Sequence, residues 1–131
     1  MMHSDRELKI EHGAIVVQGP DDESTLVNEF VNLETVPGTT GAGTLLAAAA
    51  GRGEMILYQF PSGFENDFHN TPVPTWMIFL SGALEVTTSD GSTSTFTPGG
   101  IVRFTDASGP GHRSRVVSSD DVMVAAIHMP D

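Results

Sequence analysis

The side chains of this chain best suited to chemistry are its histidines, of which there are five. Two stand in suggestive settings, His69 in "FHNTPVPTWMIFLSGALEV" and His112 in "SGPGHRSRVVS". Each lies at a Pro- or Gly-rich turn ahead of an apolar or alternating run. Imidazole can ligate a metal or move a proton near neutral pH. Taken singly, His69 reads equally as an exposed loop residue and His112 as the opening residue of a strand. His128, in "AAIHMP", reads as a satisfied core or edge histidine. Tyr58, the only tyrosine, sits in "MILYQF" and can present a phenol to a pocket. Arg103, Arg113 and Arg115 are half of the six basic residues. They read as neutralising acidic neighbours, and Arg103 best fits an alternative role as an anion-contacting pocket residue. Cysteine is absent, which excludes disulfides, thiolate nucleophiles and zinc–thiolate sites.

Strands must carry these groups. From residue 55 onward the runs "MILYQF", "TWMIFLS", "ALEVTT", "STFT", "IVRFTD", "HRSRVVS" and "VMVAAIHM" are separated by "PSG", "SDG", "TPGG", "SGPG" and "SSDD". Short strands at regular spacing with Gly/Pro/Asp turns predict an all-β barrel or sandwich. Asp-Gly tolerates positive φ, so "SDGS" at 89–92 predicts a hairpin turn. Earlier in the chain, 14–19 ("AIVVQG") and 28–36 ("NEFVNLETV") read as strands. The segment 38–53 is ambiguous between helix, loop and edge strand, because alanines favour helix while glycines flank them.

A length of 131 residues fits one domain with a real core. The net charge of −11 disfavours binding to a phosphate backbone, so no nucleic-acid partner is expected. No apolar run approaches bilayer length, and the charged N-terminus does not read as a secretory signal. The expectation is a cytoplasmic protein without membrane contact.

The motifs around the two histidines resemble those of the cupin superfamily. Its first motif runs His-x-His, a few residues, Glu, then six residues and Gly. Counting back from Gly82 places Thr75 at the glutamate, His69 at the first histidine and Thr71 at the second. "PGGIVRFTDASGPGH" is similar to the second motif, with His112 at its histidine and two extra residues in the turn. A small cupin subfamily with "WHPAPRRQ…LSG", "dG…F.PG" and "eDTTGKGH" is more similar still. It corresponds to "FHNTPVPTWMIFLSG", "DGSTSTFTPGG" and "TDASGPGH" here, and the likeness spans roughly residues 28–129. The chain departs from it at Phe68, Val73, Pro74 and Thr75, where the subfamily has Trp, Arg, Arg and usually Gln.

The resemblance implies a single-domain cupin β-barrel (a double-stranded β-helix, or jelly roll) over 1–131. Residues 1–27 would form an N-terminal arm and leading strand, and 28–129 the barrel. It also implies that His69 and His112 meet at one cavity mouth. If position 75 faces inward, strand parity turns Thr75, Met77 and Phe79 into the barrel, and likewise His112, Ser114 and Val116. The expected site is an apolar pocket with His69 and His112 as catalytic groups. Thr75, Met77, Phe79, Ser114, Tyr58 and Arg103 are the substrate contacts. The motif's metal-ligand set is reduced to His69 and His112, with threonine where glutamate would stand. Most metal sites take three or four protein ligands, so the cofactor is either none or a weakly held divalent Fe, Ni, Mn or Zn. Three functions follow. The first is acid/base chemistry (lyase, isomerase, cyclase or decarboxylase) on a small carbonyl or aromatic compound. The others are a metal-dependent, dioxygenase-like enzyme and a non-catalytic metabolite-binding protein. Barrels of this kind pair through N-terminal strands and sheet edges, so a homodimer is expected.

Overall fold

The computed structural model describes residues 7–18 and 22–130. Eleven strands form in chain order: β1 (Glu7–Gln18), β2 (Glu23–Asn32), β3 (Glu34–Thr35), β4 (Leu46–Ala47), β5 (Glu54–Phe60), β6 (Thr75–Ser81), β7 (Leu84–Thr88), β8 (Thr93–Phe96), β9 (Ile101–Phe104), β10 (His112–Val116) and β11 (Val122–His128). Every run anticipated from residue 55 onward is a strand, within a residue or two at each end. No α-helix occurs among the described residues. The ambiguous 38–53 segment holds only a 3-10 turn at Gly41–Gly43 and the two-residue β4. Its glycines prevail over its alanines, for it lies exposed with no buried face to hold a helix. Gly19, the end of the "AIVVQG" reading, lies outside the described residues. The division expected between 27 and 28 falls inside β2.

Six strands form one sheet in the order β2-β1-β9-β6-β11-β5, and three form a second in the order β10-β7-β8. All pairings are antiparallel except that of β1 with β9. The two inner faces enclose one core. Phe79, Val102, Phe104, Val122, Val124 and Ala126 come from the larger sheet, and Leu84, Val86, Phe96 and Val116 from the smaller. Alternation produces this directly: β10 reads buried–exposed–buried–exposed–buried from His112 to Val116. Phe79 and Phe96 stack across the gap at 5.1 Å. Each fully buried side chain of this size contributes roughly 1.5–3 kcal/mol.

The opposite face of the larger sheet is also apolar. Trp76, Ile78, Ile101 and Ile127 line a shallow cavity there, partly covered by Ala48, Ala50 and Gly51.

Candidate functional site

The site lies where the loop between β5 and β6 crosses the start of β10. Here His69 and His112 form a one-pair antiparallel bridge, each backbone N–H donating to the other's carbonyl at 2.9 Å. Gly111 makes this approach possible. Its φ is +77°, and a Cβ on it would fall 1.9 Å from the His69 carbonyl oxygen. Further along, Asn66 N–H donates to the Ser114 carbonyl at 3.1 Å, and Ser114 N–H donates to Asn66 Oδ1 at 2.8 Å. The loop is thus tied to β10 at two levels, and the two imidazoles stand 4.7 Å apart between ring centroids.

Each ring is held by its Nδ1. That of His112 lies 2.6 Å from Asp106 Oδ2, and Asp106 is fully buried. With the carboxylate ionised, Nδ1–H is the donor, which leaves Nε2 as a proton acceptor. Phe104 stacks on the same ring at 4.3 Å and fixes its plane. His69 Nδ1 lies 3.1 Å from the Asp67 carbonyl oxygen, which can only accept, so Nδ1–H donates there too. His112 is 4 % exposed, whereas His69 is open to solvent at the mouth. Asp106 is one of the few carboxylates near these motifs in sequence, and the turn from β9 to β10 folds it beneath His112, with its backbone carbonyl accepting from Thr71 N–H at 2.9 Å.

The cavity beside the two rings measures about 230 Å³. Tyr58, Thr75, Met77, Phe104 and His128 line it together with the loop residues from His69 to Val73. An inner extension of about 200 Å³ reaches Phe60, Leu84 and Ser114. Thus His69, His112, Tyr58, Thr75, Met77 and Ser114 do converge. Phe79 and Arg103 do not. Phe79 points inward as parity requires, but the narrow part of the barrel closes on it and it packs as core against Phe96. Arg103 faces outward, where its guanidinium pairs with Glu29 and lies 5.8 Å from the Trp76 ring centre. Arg115 pairs with Glu85, and the Arg113 guanidinium lies over Phe68. His128 is the residue that sequence reasoning missed. Its inward parity on β11, shared with Val122, Val124 and Ala126, was the available signal.

A divalent ion does not fit these residues. Among the described residues no group of three or more His, Asp or Glu side chains is placed to hold one. Thr75 Oγ1 is committed to the Val73 carbonyl at 2.8 Å. Asp106 meets His112 on the side away from the cavity, and its second oxygen is buried without a partner among the described residues. His128 Nε2 lies against the Tyr58 phenol at 3.4 Å rather than with the other two rings, so His69 and His112 remain, fewer ligands than a stable site requires.

No family model and no curated protein matches the chain. Solved structures do. The Cnp3 cupin domain of Schizosaccharomyces pombe is 14% identical, with a TM-score of 0.52 over 98% of this chain and 90% of that one. The conserved protein SPY1581 of unknown function from Streptococcus pyogenes is 18% identical, with a TM-score of 0.47 over 100% and 81%. A cupin superfamily protein from Desulfitobacterium hafniense is 17% identical, with a TM-score of 0.46 over 66% and 73%. At 14% identity the likeness to the Cnp3 domain is one of fold.

Proposed function

We propose that this chain, which has the cupin fold, is a metal-independent acid/base enzyme acting on a small carbonyl or aromatic compound. The observation that carries the reading is the buried Asp106–His112 pair facing His69 across an apolar cavity. His112 Nε2 takes a proton from the substrate. The resulting imidazolium is stabilised by the carboxylate already bonded to its Nδ1–H, in the way a buried acid orients a catalytic histidine. His69, at the solvent-exposed mouth, exchanges protons with water and returns one to the substrate when it carries two. A single proton held by the pair makes one ring the acid and the other the base. Met77 and Phe104 exclude water from the reacting bond.

The test is a screen of small carbonyl compounds for proton–deuterium exchange or turnover, using wild type, His112→Gln, His69→Gln and Asp106→Asn. Loss of the general base is expected to lower turnover by about 10²- to 10⁴-fold. Asp106→Asn, which can donate to Nδ1 and so favour the wrong tautomer, is expected to approach the same loss. Turnover that persists in both histidine variants removes the reading. Activity abolished by a chelator and restored by Fe, Ni, Mn or Zn replaces it with the metal-dependent one. Ligand binding without turnover replaces it with metabolite binding.

The functional unit in this proposal is a homodimer. Supporting it, β5 is an edge strand of the larger sheet, and Met55 and Leu57 on it are 64% and 63% exposed.

A further inference from the structure

A second polar pair lines the same cavity and is not used above. Tyr58 sits opposite Val124 in the β5–β11 ladder. Its phenol oxygen nevertheless lies 3.4 Å from His128 Nε2, and the two rings stack at 6.4 Å. His128 is held at this level by its place in the strand. It pairs with Thr75 on β6 and Glu54 on β5, and Gly53 lies so close that a Cβ there would overlap the His128 carbonyl. When Nε2–H of His128 donates to the phenol oxygen, the phenol O–H is free to donate into the cavity. One wall then offers a base, His112, and another offers a hydrogen-bond donor.

The rest of the lining restricts what can lie between them. Among the described residues no lysine, arginine, aspartate or glutamate lines the cavity or its inner extension. A carboxylate or phosphate would find no lysine or arginine there, only the proton shared by His69 and His112, and the chain's net charge of −11 repels it further. A volume of about 230 Å³ exceeds the roughly 150 Å³ that accepts benzene in an engineered cavity. A single-ring molecule is therefore the scale of ligand that fits.

We infer that Tyr58, oriented by His128, is the hydrogen-bond donor to the carbonyl oxygen of a neutral, single-ring ketone or enone bound in this cavity. The inference rests on the proton-transfer reading above for the other half of the reaction. There the C–H bond next to the carbonyl breaks and its proton goes to His112 Nε2. The bonding pair moves toward the carbonyl oxygen, and the enolate charge that develops is held by the Tyr58 O–H. Return of that proton from His112 to carbon restores the base; where His69 supplies the proton instead, transfer from His112 to His69 restores the pair, with no net oxidation or reduction. Tyr58 touches the reacting oxygen, whereas His128 is a positioning residue.

The test uses the full chain in deuterium oxide with cyclohexenone isotopically labelled at its carbonyl carbon. Carbon NMR reports the hydrogen bond to the carbonyl, and deuterium uptake beside it reports the base. In wild type and in His112→Gln the bound carbonyl resonance is expected to move downfield. Tyr58→Phe should abolish that shift and slow deuterium uptake by about a hundredfold, with affinity changed by no more than about threefold. His128→Leu should behave likewise, and His128→Gln, which keeps an N–H donor, should restore the shift. A carbonyl resonance and uptake rate unchanged in Tyr58→Phe overturn the inference, as does a failure of cyclohexenone to bind. Benzoate bound as tightly as cyclohexenone overturns the neutral substrate class. Uptake that depends on His112 but not on Tyr58 defeats the inference and leaves the proton-transfer reading intact. A Tyr58-dependent shift without uptake in wild type supports the carbonyl contact and defeats proton transfer.

Discussion

At the scale of single residues, aspartates in like-looking turns are put to different uses. Asp106 is buried against one imidazole. Asp90, in the 89–92 hairpin, is an exposed structural acceptor. The Thr25 hydroxyl is the largest influence holding its carboxyl well below the usual carboxylate range; desolvation opposes it, and bonds from Thr88 and Ser92 add to it. Thr88 Oγ1 donates to Asp90 Oδ1 at 2.7 Å and Ser92 N–H at 2.9 Å. The folded-state pKa is lower than the unfolded one, so on acidification the unfolded chain takes up this proton first. The stabilisation is complete above about pH 4 to 5 and is lost as the pH falls below that. Because Asp90 is exposed, solvent screening keeps the effect near 1 kcal/mol or less. Comparing wild type with Asp90→Asn by urea unfolding between pH 6 and pH 2, about the range over which carboxylates titrate, should show curves that differ at the neutral end and converge at the acid end. Curves separated by a constant amount throughout would rule out the role given to Asp90.

At the scale of elements, the crossing of the β5–β6 loop over β10 is what makes a site. Neither segment is a site alone, and Gly111 is the point at which they touch. Gly111→Ala adds a methyl group against the His69 carbonyl and forces an alanine to a positive φ. The expected loss is at least about 2 kcal/mol of stability, accompanied by loss of cavity ligand binding, read by denaturant unfolding and by titration with cyclohexenone. A variant of unchanged stability and binding would show that the bridge does not hold the site. Strand identity was legible here because period-2 alternation and turn chemistry are local. The position of Asp106 was not, since it depends on the three-dimensional path of the turn from β9 to β10. Arg103 shows the same limit in reverse. Among the three clustered arginines it best fitted an anion-contacting pocket role, but an odd step along β9 turns it outward to Glu29.

At the scale of the whole molecule, the outer face of the larger sheet remains apolar. Leu57 and Met55 on β5 and Leu80 on β6 are exposed. The homodimer proposed above would cover part of that surface. Sedimentation at micromolar concentration is expected to give a dimer for wild type and a monomer for Leu57→Lys, with the fold retained because Leu57 contributes nothing to the core. A monomeric wild type, or a dimer unaffected by Leu57→Lys together with Met55→Lys, would exclude this edge as the contact. Among the described residues no helix is long and apolar enough to cross a membrane.

By itself the sequence determined the strands from residue 55 onward and their turns, which follow from short-range alternation and turn chemistry. The inward parity of Thr75, Met77, His112 and Ser114, and the loss of metal ligands at Thr71 and Thr75, are what its resemblance to the cupin motifs implied. Only the tertiary structure decided that Asp106 orients His112, that His128 and Tyr58 share the cavity, and that Phe79 closes its floor as core. Those facts depend on strand register, on the taper of the barrel and on which loop crosses which strand. The contacts join residues from 6 to 70 positions apart, and no local pattern encodes a distance between them.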